Sequence, residues 1–267
     1  MKINGVKFAQ RILDELKEEI KKRNLSPKLA IILMGDNPIS QSYVKKKEKK
    51  AKEIGIKTII IRLASSTSKN ILRSRIEKLN SDKFVHGIII QRPLPSQITE
   101  NFVTNIIIKE KDVDGFREDS SFESPMSQAV YEILNSIGAL SLLKRKKTTI
   151  IGKGETGGKP ILKFLKEKGI RHSVIDSKTK NPQKIIQESD IIISAVGKPV
   201  INAKDLKKGV ILIGVGMYKN EKGELSADYN QKEVEKVASF YTPVPGGVGP
   251  LTVAMLLKNV VKAAQKR

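Results

Sequence analysis

The sequence predicts an α/β fold: two α/β domains flanking a cleft, the C-terminal one a Rossmann-type dinucleotide-binding domain. Three observations predict it. Helical and strand patterns alternate along the chain, the strands are unbroken runs of Ile, Val and Leu, and one strand leads through Gly152-Lys153-Gly154-Glu155-Thr156-Gly157 into a helix. Unbroken apolar strands are buried on both faces, which is how parallel sheets covered by helices read.

The elements follow in order. Val6–Arg23 alternates apolar and charged residues at helical spacing. LAIILM (29–34) is a strand, and Gly35-Asp36-Asn37-Pro38 a turn. Ser40 is read as the N-cap of a Lys-rich helix ending near Gly55. Strand IKTIIIRL (56–63), a helix around 69–80 and strand HGIIIQ (86–91) close the first series. A joining stretch near 115–146 includes the helical pattern Gln128–Ile137. The second series runs through strand TTIIG (148–152), helix 157–169, and strands RHSVID (171–176), IIISAV (191–196) and GVILIGVG (209–216). The helix LTVAMLLKNVVKAA (251–264) comes last. The expected domains are 1–120, completed by 250–267, and 121–249.

Composition narrows the chemistry. The 267 residues hold two His, no Cys and no Trp, which excludes disulfides, thiolate nucleophiles and Cys-ligated zinc. His86 and His172 lie far apart, so a Ser-His-Asp triad or a His-rich metal site would have to take an unusual form, and no metal is expected. No segment approaches the roughly 20 apolar residues that cross a bilayer, and the first residues lack an apolar signal core. A soluble, cytoplasmic protein is expected. The net charge of +22 would suit an anionic partner. Yet the lysines are spread over the whole chain, and the five Tyr and seven Phe do not interleave with them as a platform for bases requires. A solvated lysine surface is the first reading; a basic nucleic-acid-binding protein on an enzyme fold is a rival.

The glycine motif carries a mechanism. Glycines permit a tight turn and close backbone approach, and a helix N-terminus presents free N–H groups to a pyrophosphate. Strand, loop, helix and second strand occur in the right order, and the second strand ends at Asp176, where a ribose-binding acid belongs. The alternative is a glycine-rich turn without a ligand.

Four other segments resist explanation as packing. Tyr43 and Lys47 share a helix face, and Gln91 ends a strand before Arg92-Pro93-Leu94-Pro95. Lys111-Asp112-Val113-Asp114-Gly115-Phe116 puts two acids in a loop, and Thr242-Pro243-Val244-Pro245-Gly246-Gly247-Val248-Gly249-Pro250 is a rigid turn before the last helix. Taken singly, Tyr43 covering the sheet, Gln91 capping a strand and Asp114 closing an Asx-turn remain open.

Together these segments closely resemble the bifunctional methylenetetrahydrofolate dehydrogenase/methenyltetrahydrofolate cyclohydrolase family. SQSYVKKK (40–47) matches its S-x-x-Y-x-x-x-K helix, GIIIQRPLP (87–95) its strand and PLP turn, and KDVDGF, TPVPGGVGP and SDIIISAVGKP (189–199) its further signatures. The resemblance implies hydride transfer from 5,10-methylenetetrahydrofolate to NADP or NAD, then hydrolysis of the methenyl product to 10-formyltetrahydrofolate. It implies Lys47 as general acid/base, Tyr43 orienting the folate, Gln91 tuning Lys47 and Asp114 holding the pterin. Pro93, Leu94, Pro245, Gly246, Gly247 and Thr252 would complete the folate site. Gly152, Lys153, Gly154, Thr156, Gly157, Gly158, Asp176, Ser177, Val196, Gly197, Gly214 and Val215 would hold the cofactor. A homodimer paired through the cofactor domains, and substrates bearing several glutamates, are implied as well. A crowd of like charges at Lys45, Lys46, Lys49 and Lys50, together with burial, is expected to lower the Lys47 pKa.

The chain also departs from the family pattern. Its cofactor loop has Gly154 where Ser is usual and Gly157 where Val is usual. Asp176-Ser177-Lys178-Thr179 follows the second strand, and a carboxylate there repels a 2′-phosphate, while Lys153 and Lys178 attract one. The expected preference is shifted toward NAD. Gly214-Val215-Gly216 replaces D-V-G, Ala227-Asp228-Tyr229 replaces G-D-V, and Ser124-Pro125-Met126-Ser127 replaces P-C-T-P. A cyclohydrolase with weakened or NAD-shifted dehydrogenase activity is the alternative function, and a Rossmann dehydrogenase acting on a small acid the remaining rival.

Overall fold

The computed structural model describes residues 1–266. The chain forms two compact units: Met1–Ala9 with Met126–Thr252, and Gln10–Pro125 with Val253–Arg267. In chain order the elements are α1 (Gly5–Lys22), β1 (Lys28–Met34), α2 (Pro38–Glu53), β2 (Lys57–Leu63), α3 (Lys69–Ser81), β3 (Gly87–Ile90), α4 (Glu100–Ile106) and α5 (Pro125–Ser136). Then come β4 (Thr148–Ile151), α6 (Gly158–Glu167), β5 (His172–Ile175), α7 (Pro182–Glu188), β6 (Ile191–Ser194), β7 (Ile211–Gly214), β8 (Met217–Lys219), β9 (Leu225–Ala227), α8 (Gln231–Val234), β10 (Phe240–Tyr241) and α9 (Val248–Gln265).

One unit holds a three-stranded parallel sheet, β2-β1-β3. Its central strand is fully enclosed, with Leu29 to Leu33 at most 1% exposed, because it has a strand on either side and apolar packing on both faces. Edge strand β2 is only half-buried, which its unbroken Ile run did not foretell. Asn259 of α9 donates to the carbonyls of Val113 and Glu123 within this unit.

The other unit holds a five-stranded parallel sheet, β10-β7-β6-β4-β5, in which β4 and β6 are wholly buried. The first residues of the chain lengthen it. Lys2 bridges Tyr241 in parallel, Tyr241 N–H donates to the Met1 carbonyl, and Ile3 N–H to the Tyr241 carbonyl. A β8–β9 hairpin stands beside the sheet as a separate two-stranded ladder.

Two expectations change. Asn37, not Ser40, caps α2: its side chain accepts from the N–H groups of Ile39 and Ser40, and Pro38 occupies the first helical turn, where its missing N–H costs nothing. The strands of the second series are also shorter than their apolar runs, since the chain leaves the ladder to form the loops considered next.

Candidate functional site

In the three-stranded unit, α2 carries Tyr43 and Lys47, one turn apart and both half-buried. Lys47 Nζ donates to Gln91 Oε1 at 3.0 Å, and Gln91 Nε2 donates to the Arg92 carbonyl at 2.8 Å. The second bond orients the first: with its NH2 committed to the backbone, the Gln91 amide must present oxygen to the amine. Ser40 Oγ, buried on α2, donates to the same carbonyl. Burial lowers the Lys47 pKa, the Asp114 carboxylate opposes that shift, and the Arg92 guanidinium adds to it. The like charges expected to act are therefore the wrong ones: Lys45, Lys46 and Lys49 are exposed to water, which screens them, and Lys50 is paired with Glu53 at 2.7 Å, whereas Arg92 is a fixed cation off the helix. Burial raises the Tyr43 phenol, and Lys46 Nζ lies 5.6 Å from its ring centroid.

Arg92 is the residue whose importance the sequence left unread. Its guanidinium stacks 3.8 Å from the Phe116 ring centroid, pairs with Glu100 at 2.8 Å and donates to the Ile90 carbonyl. With Asp112, Asp114 and Phe116 it lines a narrow pocket against β3. Pro93 is exposed and Leu94 half-buried in the following turn.

The two acids of the 111–116 loop do different things. Asp112 is buried and its carboxylate accepts from Arg117 N–H at 2.9 Å, while burial raises its pKa against that bond. The loop-closing part open to Asp114 thus belongs to Asp112. Among the described residues no hydrogen bond ends on Asp114, so its two oxygens stay available. Gly115 is at φ +66°, and a Cβ there would lie 2.7 Å from the Ser124 nitrogen. Lys111, wholly buried, donates to the carbonyls of Leu79, Asn80 and Asp82 at the end of α3, a helix C-cap rather than a ligand group.

In the five-stranded unit, the 152–158 loop joins β4 to α6. Gly152 (φ +90°) takes the sharp turn. The close approach of helix to strand is made at Gly158, not Gly157: a Cβ on Gly158 would lie 2.7 Å from the Gly152 carbonyl carbon. Around the Cβ direction of Gly154 nothing lies within 4 Å, and Thr156 is exposed, so the loop leaves open space before the start of α6, as a dinucleotide requires. Asp176 follows β5 and pairs with Lys153 at 2.6 Å; Lys178 N–H and Thr179 Oγ1 also donate to it. That company, Lys153 foremost, holds its carboxyl at about 2. Ser177 is exposed beside it. Val196 and Gly197 form the turn after β6, while Gly214 and Val215 are buried at the end of β7.

The 242–250 turn belongs to this unit too. Thr242 is wholly buried, and Gln231 takes both the N–H and the carbonyl of Val244. Pro245 is exposed, Gly246 sits at φ +101°, and Gly247 packs against Gly5, where a Cβ would overlap its carbonyl oxygen. Thr252 donates to the Val248 carbonyl. Ser127 of the divergent SPMS stretch donates to the Pro160 carbonyl. His86 accepts from Lys28 N–H, a structural role. Among the described residues no three His, Asp or Glu are grouped to hold a metal, and no helix is long and apolar enough to cross a membrane.

Comparison with known proteins accounts for nearly the whole chain. Residues 3–114 match the model of the tetrahydrofolate dehydrogenase/cyclohydrolase catalytic domain, and 124–267 that of the NAD(P)-binding domain. The bifunctional protein FolD of Anoxybacillus flavithermus is 38% identical over 99% of this chain and 98% of its own. The crystal structure of Campylobacter jejuni FolD, a methylenetetrahydrofolate dehydrogenase/cyclohydrolase, is 37% identical with a TM-score of 0.94, covering 100% of this chain and 99% of that one. The Trypanosoma brucei enzyme, complexed with NADP and an inhibitor, is 28% identical with a TM-score of 0.92, over 100% and 97%.

Proposed function

The chain belongs to the tetrahydrofolate dehydrogenase/cyclohydrolase family, and on that premise we propose how its residues divide the work. It is a bifunctional enzyme. It oxidises 5,10-methylenetetrahydrofolate to the methenyl form with a nicotinamide cofactor, and hydrolyses that product to 10-formyltetrahydrofolate.

Lys47 is the group on which the proposal turns. What carries it is the buried amine held by Gln91, its proton affinity lowered by burial and by Arg92. A lysine so placed is a free base for a larger part of the time at neutral pH, which a general base needs. Asp114, its oxygens uncommitted, accepts hydrogen bonds from the donor edge of the pterin, and Tyr43 lies against the folate ring. Pro93, Leu94, Pro245, Gly246, Gly247 and Thr252 complete the substrate contacts. Bound NAD(P) supplies the hydride acceptor. When water adds to the methenyl carbon, Lys47 takes one of its two protons; as the ring carbon–nitrogen bond breaks, that proton passes to the departing ring nitrogen, and the remaining hydroxyl proton is released to solvent as the formyl C=O forms. Lys47→Met should leave a folded protein with hydrolysis of the methenyl substrate reduced by about 10²-fold or more, the usual worth of a positioned base. An unchanged hydrolysis rate with purified variant would refute the assignment.

On the cofactor side, Gly152, Gly154, Thr156, Gly157 and Gly158 would hold the pyrophosphate, and Val196, Gly197, Gly214 and Val215 the nicotinamide half. Asp176 favours NAD, since its carboxylate suits a free ribose hydroxyl and opposes a 2′-phosphate; Ser177 lies beside it and Lys153 moderates the effect. We read the protein as a cytoplasmic homodimer paired through the five-stranded units, with polyglutamylated folates among its substrates.

A further inference from the structure

The short segment Asp228–Gln231 sends three side chains into two loops of the same unit. The Asp228 side chain is fully buried and accepts from the backbone N–H groups of Val196 (3.0 Å), Gly197 (2.8 Å) and Lys198 (3.1 Å), with Ser194 Oγ as a fourth donor. Successive N–H groups of this kind make a concavity that binds anions. Here the occupant is the chain's own carboxylate, so the turn after β6 is set before any ligand arrives. Gly216 is required for this: a Cβ there would overlap the Asp228 carboxylate.

The next residue reaches the other loop. The Tyr229 hydroxyl, buried, donates to the Thr242 carbonyl and lies 3.3 Å from Thr242 Oγ1, which in turn accepts from Gly214 N–H at 2.7 Å. A Cβ on Gly214 would stand 2.6 Å from that hydroxyl and 2.8 Å from the ring. The two departures noted in the sequence, Gly214 for Asp and Tyr229 for Val, are thus one change: the phenol fills the space a side chain at 214 would occupy. Two residues on, Gln231 pairs with both backbone groups of Val244.

We propose that Asp228, Tyr229 and Gln231 form a positioning element that fixes the cofactor-side turn Val196–Lys198 and the folate-side turn Thr242–Gly247 from one segment. The folate arm rests on the reading of Pro245–Gly247 as substrate contacts; the cofactor arm does not. None of the three side chains is assigned contact with a reacting atom. They act through the backbone that they hold.

The test uses purified full-length protein in three measurements: methenyl hydrolysis, methylene oxidation, and calorimetric titration with NADH and NADPH. Asp228→Asn replaces one of the two accepting oxygens by a donor facing N–H or O–H groups, and should weaken dinucleotide binding about tenfold or more while hydrolysis, which needs no nicotinamide, changes less than about twofold. Tyr229→Phe should raise the folate KM about threefold to tenfold in both reactions and leave dinucleotide binding alone. Gly214→Asp should fail beside Tyr229, and Tyr229→Val with Gly214→Asp together should recover activity beyond the product of the single effects. Unchanged titrations and KM values with only a lower melting temperature would overturn the proposal, as would full activity of Gly214→Asp. If wild-type protein turns over no folate, the folate reading fails, and the Asp228→Asn titration still decides the cofactor arm.

Discussion

An ordinary lysine, with a pKa of about 10.4, is almost wholly protonated at neutral pH and a poor base. At Lys47 three neighbouring effects act on that value: burial and Arg92 lower it, and Asp114 raises it. The sign of each gives a prediction. Removing the guanidinium in Arg92→Leu should raise the Lys47 pKa and move the acidic limb of the pH–kcat/KM curve for hydrolysis to higher pH; Arg92→Lys, which keeps a positive charge, should move it less. On the reading proposed above, cofactor choice also turns on a single residue. Lys153 faces Asp176 at 2.6 Å. Asp176→Ser removes the repulsion and frees that amine for a 2′-phosphate. The kcat/KM for NADP should therefore rise relative to NAD by about tenfold, the worth of one charge-assisted contact. Steady-state rates with both cofactors check this, and an unaltered ratio would remove Asp176 from the specificity argument.

At the scale of elements, the β4–α6 connection shows why a glycine pattern is not yet a geometry. The motif of 152, 154 and 157 is literal in the sequence, but the glycine that lets the helix pack on the strand is Gly158. Gly158→Ala should push α6 off the Gly152 backbone and cost dehydrogenase activity more than tenfold, a loss of at least about 1.4 kcal/mol, while hydrolysis persists. Paired assays on one preparation would show it. The helix start at Asn37-Pro38 is legible in the sequence: a capping side chain followed by proline is a stronger signal than a serine three residues after that cap. Helices of two turns, such as α4 and α7, and strands of two or three residues, such as β8, β9 and β10, carry too few periodic positions to be seen locally. The two residues of β10 are a strand only because β7 lies on one side and Lys2 pairs with Tyr241 on the other.

For the whole molecule, a charge of +22 is a long-range property that no single contact explains. Folates carrying several glutamates are polyanions, so their KM should lie below that of the monoglutamate at low ionic strength. The gap should close as salt shortens the Debye length toward about 8 Å at 0.15 M. Equal KM values at low salt would mean the lysines serve only solubility.

Residue order alone determined that the chain is α/β with parallel sheets, where the glycine loop lies, and which family it belongs to, because buried strands and ligand-binding loops each demand a narrow choice of residues within a few positions. Only the tertiary structure decided which cation acts on Lys47, which of Asp112 and Asp114 is left open, and why Gly214 and Tyr229 occur together. The first and last of those outcomes depend on residues well separated in the chain meeting in space, as Tyr229 meets Gly214, 15 residues away, and Lys47 meets Gln91, 44 residues away. Burial and charge act through distance in space, and separation along the chain does not reveal that distance until the fold has closed.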